Sequence, residues 1–380
     1  MLKQSRYVLL AKTMYRVLRN SRIPIFLHRK SNHIFTAWQH IVLLTIKQYE
    51  GKSYRMFAEW LVEAHYFRIF LQLSKIPHFT TLQKFADRIN NVMLGKIISS
   101  FVVLSGTRRT HIFVGIDSTG FNITRASQYY AKRAKLRKRK YVKLSIGADV
   151  LKQIICNIKV RRAPTRHDNI DFKPVITKTS EILPLSIVVG DRGYDSEENH
   201  IMVREKLGAF SVIPTRNEDV PIWKTHGRYR KQIKRGYSKA LYHQRNKDET
   251  IVSVIKRLFG EHIRSRHVRT QNRELSLRCI AYNMHRLTNL VIIIVVSTEP
   301  YNQKTHIYHI AVNYLVMSEY ENMQQPMKEK TNYIEAYEDP FEPPMQPNAE
   351  MESVKGLAES FAKGQSCAKR IGSTLLRPST

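Results

Sequence analysis

Near residue 110 the hydrophobic pattern of the chain changes period, and this change limits the architectures open to it. Upstream, segments such as FTAWQHIVLLTIKQYE and YRMFAEWLVEAHYFRIFLQL set apolar residues at near-helical spacing, so residues 1–105 are predicted to be a mostly helical region. Downstream, the apolar residues come in short β-branched runs. HIFVGIDSTG reads as a buried strand ending at Asp117. YVKLSIGADV and QIICNIKVRRA read as two more strands joined by a turn near Asp149 to Gln153, and LSIVVGD as a fourth strand ending at Asp191. Residues 168–180 and Ser196 to Leu207 suit helices, and FSVIPT suits a further strand ahead of a long helix. This order predicts an α/β domain over residues 106–296, with a mixed sheet and flanking helices.

Within the helical region, KIPHFTTLQKFADRI carries a break at Pro77, possible caps at Thr80 or Thr81, and an apolar stripe of Leu82, Phe85, Ala86 and Ile89. Two readings stay open. The short helices form a helix-turn-helix with Gln83, Lys84 and Arg88 facing DNA, or they form a plain helical packing domain.

The charge points to a polyanionic partner. Lys and Arg total 63 against 31 Asp and Glu, a formal net charge of +32. Residues 297–380 hold 8 of the basic and 11 of the acidic residues, so the whole excess lies in residues 1–296. That tail is rich in Glu, Gln, Pro and Met over 318–353 and is predicted to be largely disordered. The densest basic run, between the first two strands, carries Lys132, Arg133, Lys135, Arg137, Lys138, Arg139, Lys140 and Lys143, with Tyr129, Tyr130 and Tyr141 at its ends. It is predicted to follow a nucleic-acid backbone rather than to be only a solvated loop. Cys156, Cys279 and Cys367 lack metal-ligand spacing and suit a reducing compartment. The N-terminus has no signal-peptide core, and the most apolar run, Leu290 to Val296, is too short to span a bilayer; a soluble intracellular chain with no membrane partner is expected.

Between Gly236 and Gly260 no proline intervenes, and Ser238 can cap a helix. Tyr242, Arg245, Glu249 and Lys256 fall at spacings of 3, 4 and 7 residues, so such a helix lines up a phenol, a guanidinium, a carboxylate and an ammonium on one face. Alone this is an ordinary exposed ion-paired helix. Two strand-end aspartates, Asp117 and Asp191, change its weight, because side chains at the ends of such strands project into the crevice where ligands bind. Converging carboxylates must take up cations or protons. Hard Mg²⁺ or Mn²⁺ suits such donors, and two ions about 3.5–4 Å apart suit an in-line phosphoryl displacement.

These residues carry a resemblance. Tyr242-x2-Arg245-x3-Glu249-x6-Lys256 resembles the Y-R-E-K signature of bacterial and archaeal insertion-sequence transposases of the DDE type. GIDSTG around Asp117 and GDRGYDS around Asp191 resemble that family's two aspartate motifs. YVKLSIGADV, RRAPTRHDNID and RELSLRCIAYNMHRL resemble its second core strand, the approach to its first core helix and its terminal helix. The likeness covers about residues 50–296. It implies an RNase H-like catalytic domain preceded by a small helical DNA-binding domain, with Asp117, Asp191 and Glu249 as catalytic metal ligands for Mg²⁺ or Mn²⁺. It implies Tyr242, Arg245 and Lys256 as contacts to DNA-end phosphates. It further implies hydrolysis at terminal inverted repeats, strand transfer into target DNA, a homodimer in a synaptic complex, and a cytoplasmic, nucleoid-associated prokaryotic protein. The intervals of 74 residues from Asp117 to Asp191 and 58 from Asp191 to Glu249 leave no room for the large insertion of some relatives. Trp223, inside the second interval, is expected to pack in the interior. His167 and Asp168 are supporting candidates near the site. The competing reading is a catalytically inactive or domesticated sequence-specific DNA-binding protein. A structure-directed nuclease is disfavoured by the Y-R-E-K row.

Overall fold

The computed structural model describes residues 5–28, 33–106, 111–123, 141–162 and 167–290, with the strands Ile292–Ser297 and His306–Ala311. Six helices come first: α1 (Arg6–Asn20), α2 (Ala37–Tyr49), α3 (Tyr54–Glu63), α4 (His65–Phe70), α5 (Phe79–Arg88) and α6 (Asn91–Ser105). Their apolar spacing explains their burial. In α1, Leu10, Ala11, Met14, Val17 and Leu18 form one inward stripe. A capping box starts α2: the Thr36 hydroxyl accepts from the Gln39 amide at 3.0 Å, and the Gln39 side chain accepts from the Thr36 amide at 2.8 Å. In α5 the expected stripe forms, with Leu82, Ala86 and Ile89 buried and Gln83, Lys84 and Arg88 exposed. Its start differs from expectation. His78 is the N-cap residue and the Thr81 amide bonds to the His78 carbonyl, so Thr80 and Thr81 lie within the first turn instead of capping it.

The sheet has the order β3-β2-β1-β4-β5, formed by β1 (Ile112–Asn122), β2 (Tyr141–Asp149), β3 (Ile154–Arg161), β4 (Leu185–Gly190) and β5 (Phe210–Val212). β1, β2 and β3 are antiparallel neighbours, whereas β4 runs parallel to β1 and β5 parallel to β4. The β2–β3 turn falls where expected: the Asp149 carboxylate accepts from the Leu151 and Lys152 amides, and Gln153 takes the left-handed conformation at φ 54°. α7 (Asn169–Ser180) packs Phe172, Val175 and Ile176 on the sheet. After β4 come α8 (Glu197–Ile201), a π-helical turn (Met202–Lys206), β5, α9 (Arg228–Arg235), α10 (Lys239–His243), α11 (Asn246–Phe259) and α12 (Val268–Leu290). This mixed sheet with flanking helices is the RNase H-like layering expected.

Two expectations about element ends are corrected. β1 does not end at Asp117, because its antiparallel pairing with β2 continues to Asn122 opposite Tyr141. The single helix expected between Gly236 and Gly260 is two, α10 and α11, separated at Gln244–Arg245. There the Lys247 and Asp248 amides bond to the carbonyls three residues back, on Gln244 and Arg245, which tightens the chain into a 3₁₀-type turn.

Among the described residues a large apolar core runs from Leu10 and Met14 through Phe101 and Ile146 to Ile280 and Met284, and a smaller cluster gathers Phe113, Val150, Val189 and Val212. The helix α12 lies inside the large core, and several of its buried polar groups are paired with backbone. The Asn283 amide group accepts from the Ile155 N–H at 2.9 Å and donates to the Ile155 carbonyl at 2.8 Å, which ties α12 to the outer strand β3. Arg278 donates to the carbonyls of Gly260 and His262 and to Glu274, while Glu274 accepts from the Arg264 and Ser265 amides. The segment following α11 is thereby fastened to α12.

Beyond α12, β6 (Ile292–Ser297) and β7 (His306–Ala311) pair antiparallel. The remainder of the predicted acidic tail, residues 298–305 and 312–380, lies outside the described residues, as does Cys367. Cys156 and Cys279 are buried. Among the described residues no helix is long and apolar enough to cross a membrane.

Candidate active site

The register of the sheet sets the site. β1 and β4 pair in parallel up to Ile116 opposite Gly190, and the next residue in the chain after each is an acid, Asp117 and Asp191. β1 continues beside β2, but β4 stops, so the chain after Gly190 turns away. Asp191 caps the short 3₁₀ turn Arg192–Tyr194, its Oδ1 accepting from the Gly193 amide at 2.8 Å. The opening at the end of β4 leaves Asp117 on the edge of a cleft.

α11 forms the other wall. Its buried stripe is Asp248, Ile251, Ile255 and Phe259. The adjoining stripe, Glu249, Val252, Ser253 and Lys256, lines a cleft of about 480 Å³ together with Asp117, Arg257 and Glu261. Asp248 and Glu249 occupy the first turn of α11, where the helix dipole favours negative charge. Arg245 donates to Glu249 Oε1 at 2.6 Å, and its guanidinium lies 5.9 Å from the Tyr242 ring centroid. The Lys256 ammonium lies 5.9 Å from the Phe121 ring. The Tyr-Arg-Glu-Lys row therefore stays gathered despite the helix break, because the tight turn at Gln244–Arg245 keeps Tyr242 beside Arg245.

Electrostatics mark Asp117. Burial, then the charges of Asp191 and Glu249, push its carboxyl up to about 6, against opposing effects of the Ser118 backbone and Arg245. Asp191 and Glu249 both act on Asp117, yet the three acids do not close around a point. Among the described residues no group of three or more His, Cys, Asp or Glu side chains is arranged to hold a metal ion. Glu249 is turned toward Arg245 with its side chain 53% exposed, and Asp191 is turned toward Gly193.

The remaining candidates divide. Lys132, Arg133, Lys135, Arg137, Lys138, Arg139 and Lys140, with Tyr129 and Tyr130, lie outside the described residues. Lys143 lies on β2 and forms an ion pair with Asp168. Asp168 Oδ2 also accepts from the Ser118 hydroxyl at 2.5 Å, so Asp168 sits beside the strand residue that follows Asp117. The His167 carbonyl accepts from Arg161. Trp223 does not pack in the interior: it is 74% exposed on a short 3₁₀ turn, with Lys224 against its ring. The turn is one residue past Pro221 and buries none of its own side chains, which overrides the usual burial of tryptophan.

Two features have no counterpart in the sequence reading. Asp248 is fully buried, with neither carboxylate oxygen hydrogen-bonded among the described residues. Burial, and next the charge of Asp117, push it well above the usual carboxylate range. Its signal in the sequence is an acid at the head of the Ile251, Ile255, Phe259 stripe. The second is a clasp beyond Asp191. Arg230 donates twice to Asp195 at 2.7 Å, and Glu197 accepts from the Tyr229 and Arg230 amides at the start of α9.

Two acids directly after the last parallel pairing of adjacent strands, with a third acid on a helix that lines the same cleft, define a carboxylate-edged site on an RNase H-like sheet. Residues 108–284 match the family model described as the transposase DDE domain. The matched span runs from just before β1 into α12 and contains all three acids. No curated protein matches the chain. A solved structure of the piggyBac transposase synaptic complex with hairpin DNA has a TM-score of 0.38 and 8% identity, covering 74% of this chain and 73% of that one.

Proposed function

We propose that this chain is the transposase of an insertion sequence, which binds terminal inverted repeats and catalyses DNA strand cleavage and strand transfer. The observation that carries the reading is the cleft lined by Asp117, Glu249 and Lys256, with Asp191 directly following the strand that neighbours Asp117. A site built for proton chemistry alone has no need of three mutually repelling acids. A site for cations does, and Asp117 is pushed up first by burial and then by the charges of Asp191 and Glu249. The donor set, oxygen only, fits Mg²⁺ or Mn²⁺.

Asp117, Asp191 and Glu249 would hold the metal, which when bound supplies positive charge to the attacking and leaving oxygens of an in-line phosphoryl displacement. The side chains around them position the DNA. Lys256 offers a point charge for phosphate, Arg245 a planar fork, and Tyr242 a flat surface and hydroxyl beside it. Arg245 must exchange its Glu249 partner for phosphate, which leaves Glu249 free to turn toward Asp117. The freed 3′-hydroxyl then attacks target DNA, with no covalent protein–DNA link. The basic segment 132–140 follows the backbone, residues 1–105 supply further DNA contact, and a homodimer brings two ends together. The protein acts in the prokaryotic cytoplasm, at the nucleoid.

The test is cleavage of the DNA flanking the gene in Mg²⁺ or Mn²⁺. Discrete nicks at matching repeats support the reading. Tight, salt-sensitive binding without nicks establishes a non-catalytic DNA-binding protein instead.

A further inference from the structure

Gly115 lies on β1 two residues before Asp117, on the same strand face. Its φ is not among the positive values of the chain, so its backbone conformation does not require glycine. The space beside it does. A Cβ at position 115 would lie 1.6 Å from Asp248 Oδ2, 2.3 Å from its Cγ and 2.5 Å from Oδ1. The Asp248 side chain therefore occupies the volume that any other residue at 115 would need. No hydrogen bond holds either carboxylate oxygen there among the described residues, so close packing defines the contact.

Asp248 immediately precedes Glu249, so whatever sets the approach of the first turn of α11 to β1 also sets the distance from Glu249 to Asp117. We propose that Gly115 and Asp248 form a contact pair that fixes how closely α11 seats on β1, making both positioning residues for Glu249. The claim rests on the reading of Glu249 as a catalytic residue. Alanine at 115 must push α11 outward or displace Asp248, and a displacement near 1 Å is enough to cripple an in-line reaction.

The experiment compares full-length wild type, Gly115→Ala, Asp248→Ala and the double variant. Each is followed by thermal unfolding and by single-turnover cleavage of the flanking DNA at saturating protein. Gly115→Ala is expected to lower Tm and to slow cleavage roughly 100-fold with DNA affinity unchanged. In the Asp248→Ala background the same substitution is expected to change neither Tm nor rate appreciably, because the obstructing side chain is gone. Equal losses in both backgrounds overturn the contact pair. Coupled losses in Tm with no effect on cleavage overturn the positioning role. A wild-type protein that never cuts refutes the transposase reading, and with it the positioning role, while the Tm coupling, read without DNA, still decides whether the contact exists.

Discussion

Asp117 and Asp191 each follow directly on the last paired residue of two adjacent parallel strands, Ile116 and Gly190. This one register relationship brings together two acids 74 residues apart in the chain. It sets the charge of Asp191 beside the half-buried Asp117.

Asp117 is raised from its ordinary value of 3.8 to about 6, first by burial and then by Asp191 and Glu249. The folded protein thus binds a proton more tightly here than the unfolded chain does. Stability from this group is fully present below the ordinary value and is lost as pH rises through about 6. A divalent cation relieves the repulsion only after the proton has left. Mg²⁺ or Mn²⁺ is therefore expected to raise Tm more at about pH 7.5 than at about pH 5. Thermal unfolding with metal or with chelator checks this, and an equal increment at both values counts against Asp117 as a ligand.

Arg278 is buried, and it spans Glu274 and the carbonyls of Gly260 and His262. Removing it leaves an uncompensated carboxylate and two bare carbonyls. Arg278→Ala is expected to destabilise the fold by about 3–5 kcal/mol. Denaturant unfolding measures the loss, and a change below about 1 kcal/mol contradicts the assigned role of this cluster.

The Arg245–Glu249 pair is different, because Glu249 is half in solvent. Glu249→Ala is expected to shift stability by no more than about 1 kcal/mol while abolishing cleavage. A variant that unfolds would instead make Glu249 a structural residue.

Trp223 protrudes, so Trp223→Ala is expected to alter stability within about 0.5 kcal/mol. A large drop in Tm would place the ring in the interior after all.

DNA binding is expected to weaken linearly in log Kd against log salt concentration, as phosphate neutralisation releases counterions. Replacing Lys135, Arg137, Lys138 and Arg139 by Ala should lower the slope by roughly one for each phosphate that is no longer neutralised. An unchanged slope removes that segment from the interface.

The strands were legible because β-branched runs such as FVGI and SIVVG bury on both faces and carry their own punctuation. The end of β1 was not, since Asp117 sits in mid-strand only because β2 is long enough to pair with β1 as far as Asn122, a tertiary fact. The break at Gln244–Arg245 contains neither Gly nor Pro and gave no local warning. α9 was overlooked for the opposite reason. RYRKQIKR buries only Ile233, so no apolar period announces it, and its start is held instead by Glu197 from another element. Of the candidate site, spacing alone made legible the shared helix face of Tyr242, Arg245, Glu249 and Lys256, while Asp117 and Asp191 stood out as the ends of apolar runs and through the family resemblance. Asp248 could not, because its meaning depends on the missing side chain at Gly115.

The most direct test remains strand cleavage of the DNA flanking the gene in Mg²⁺ or Mn²⁺, with wild type beside Glu249→Ala at matched folding. Discrete, metal-dependent nicks at matching repeats in the wild type, absent in the variant, are the expected result. Binding without cleavage by the wild type, or equal cleavage by both proteins, would contradict the account.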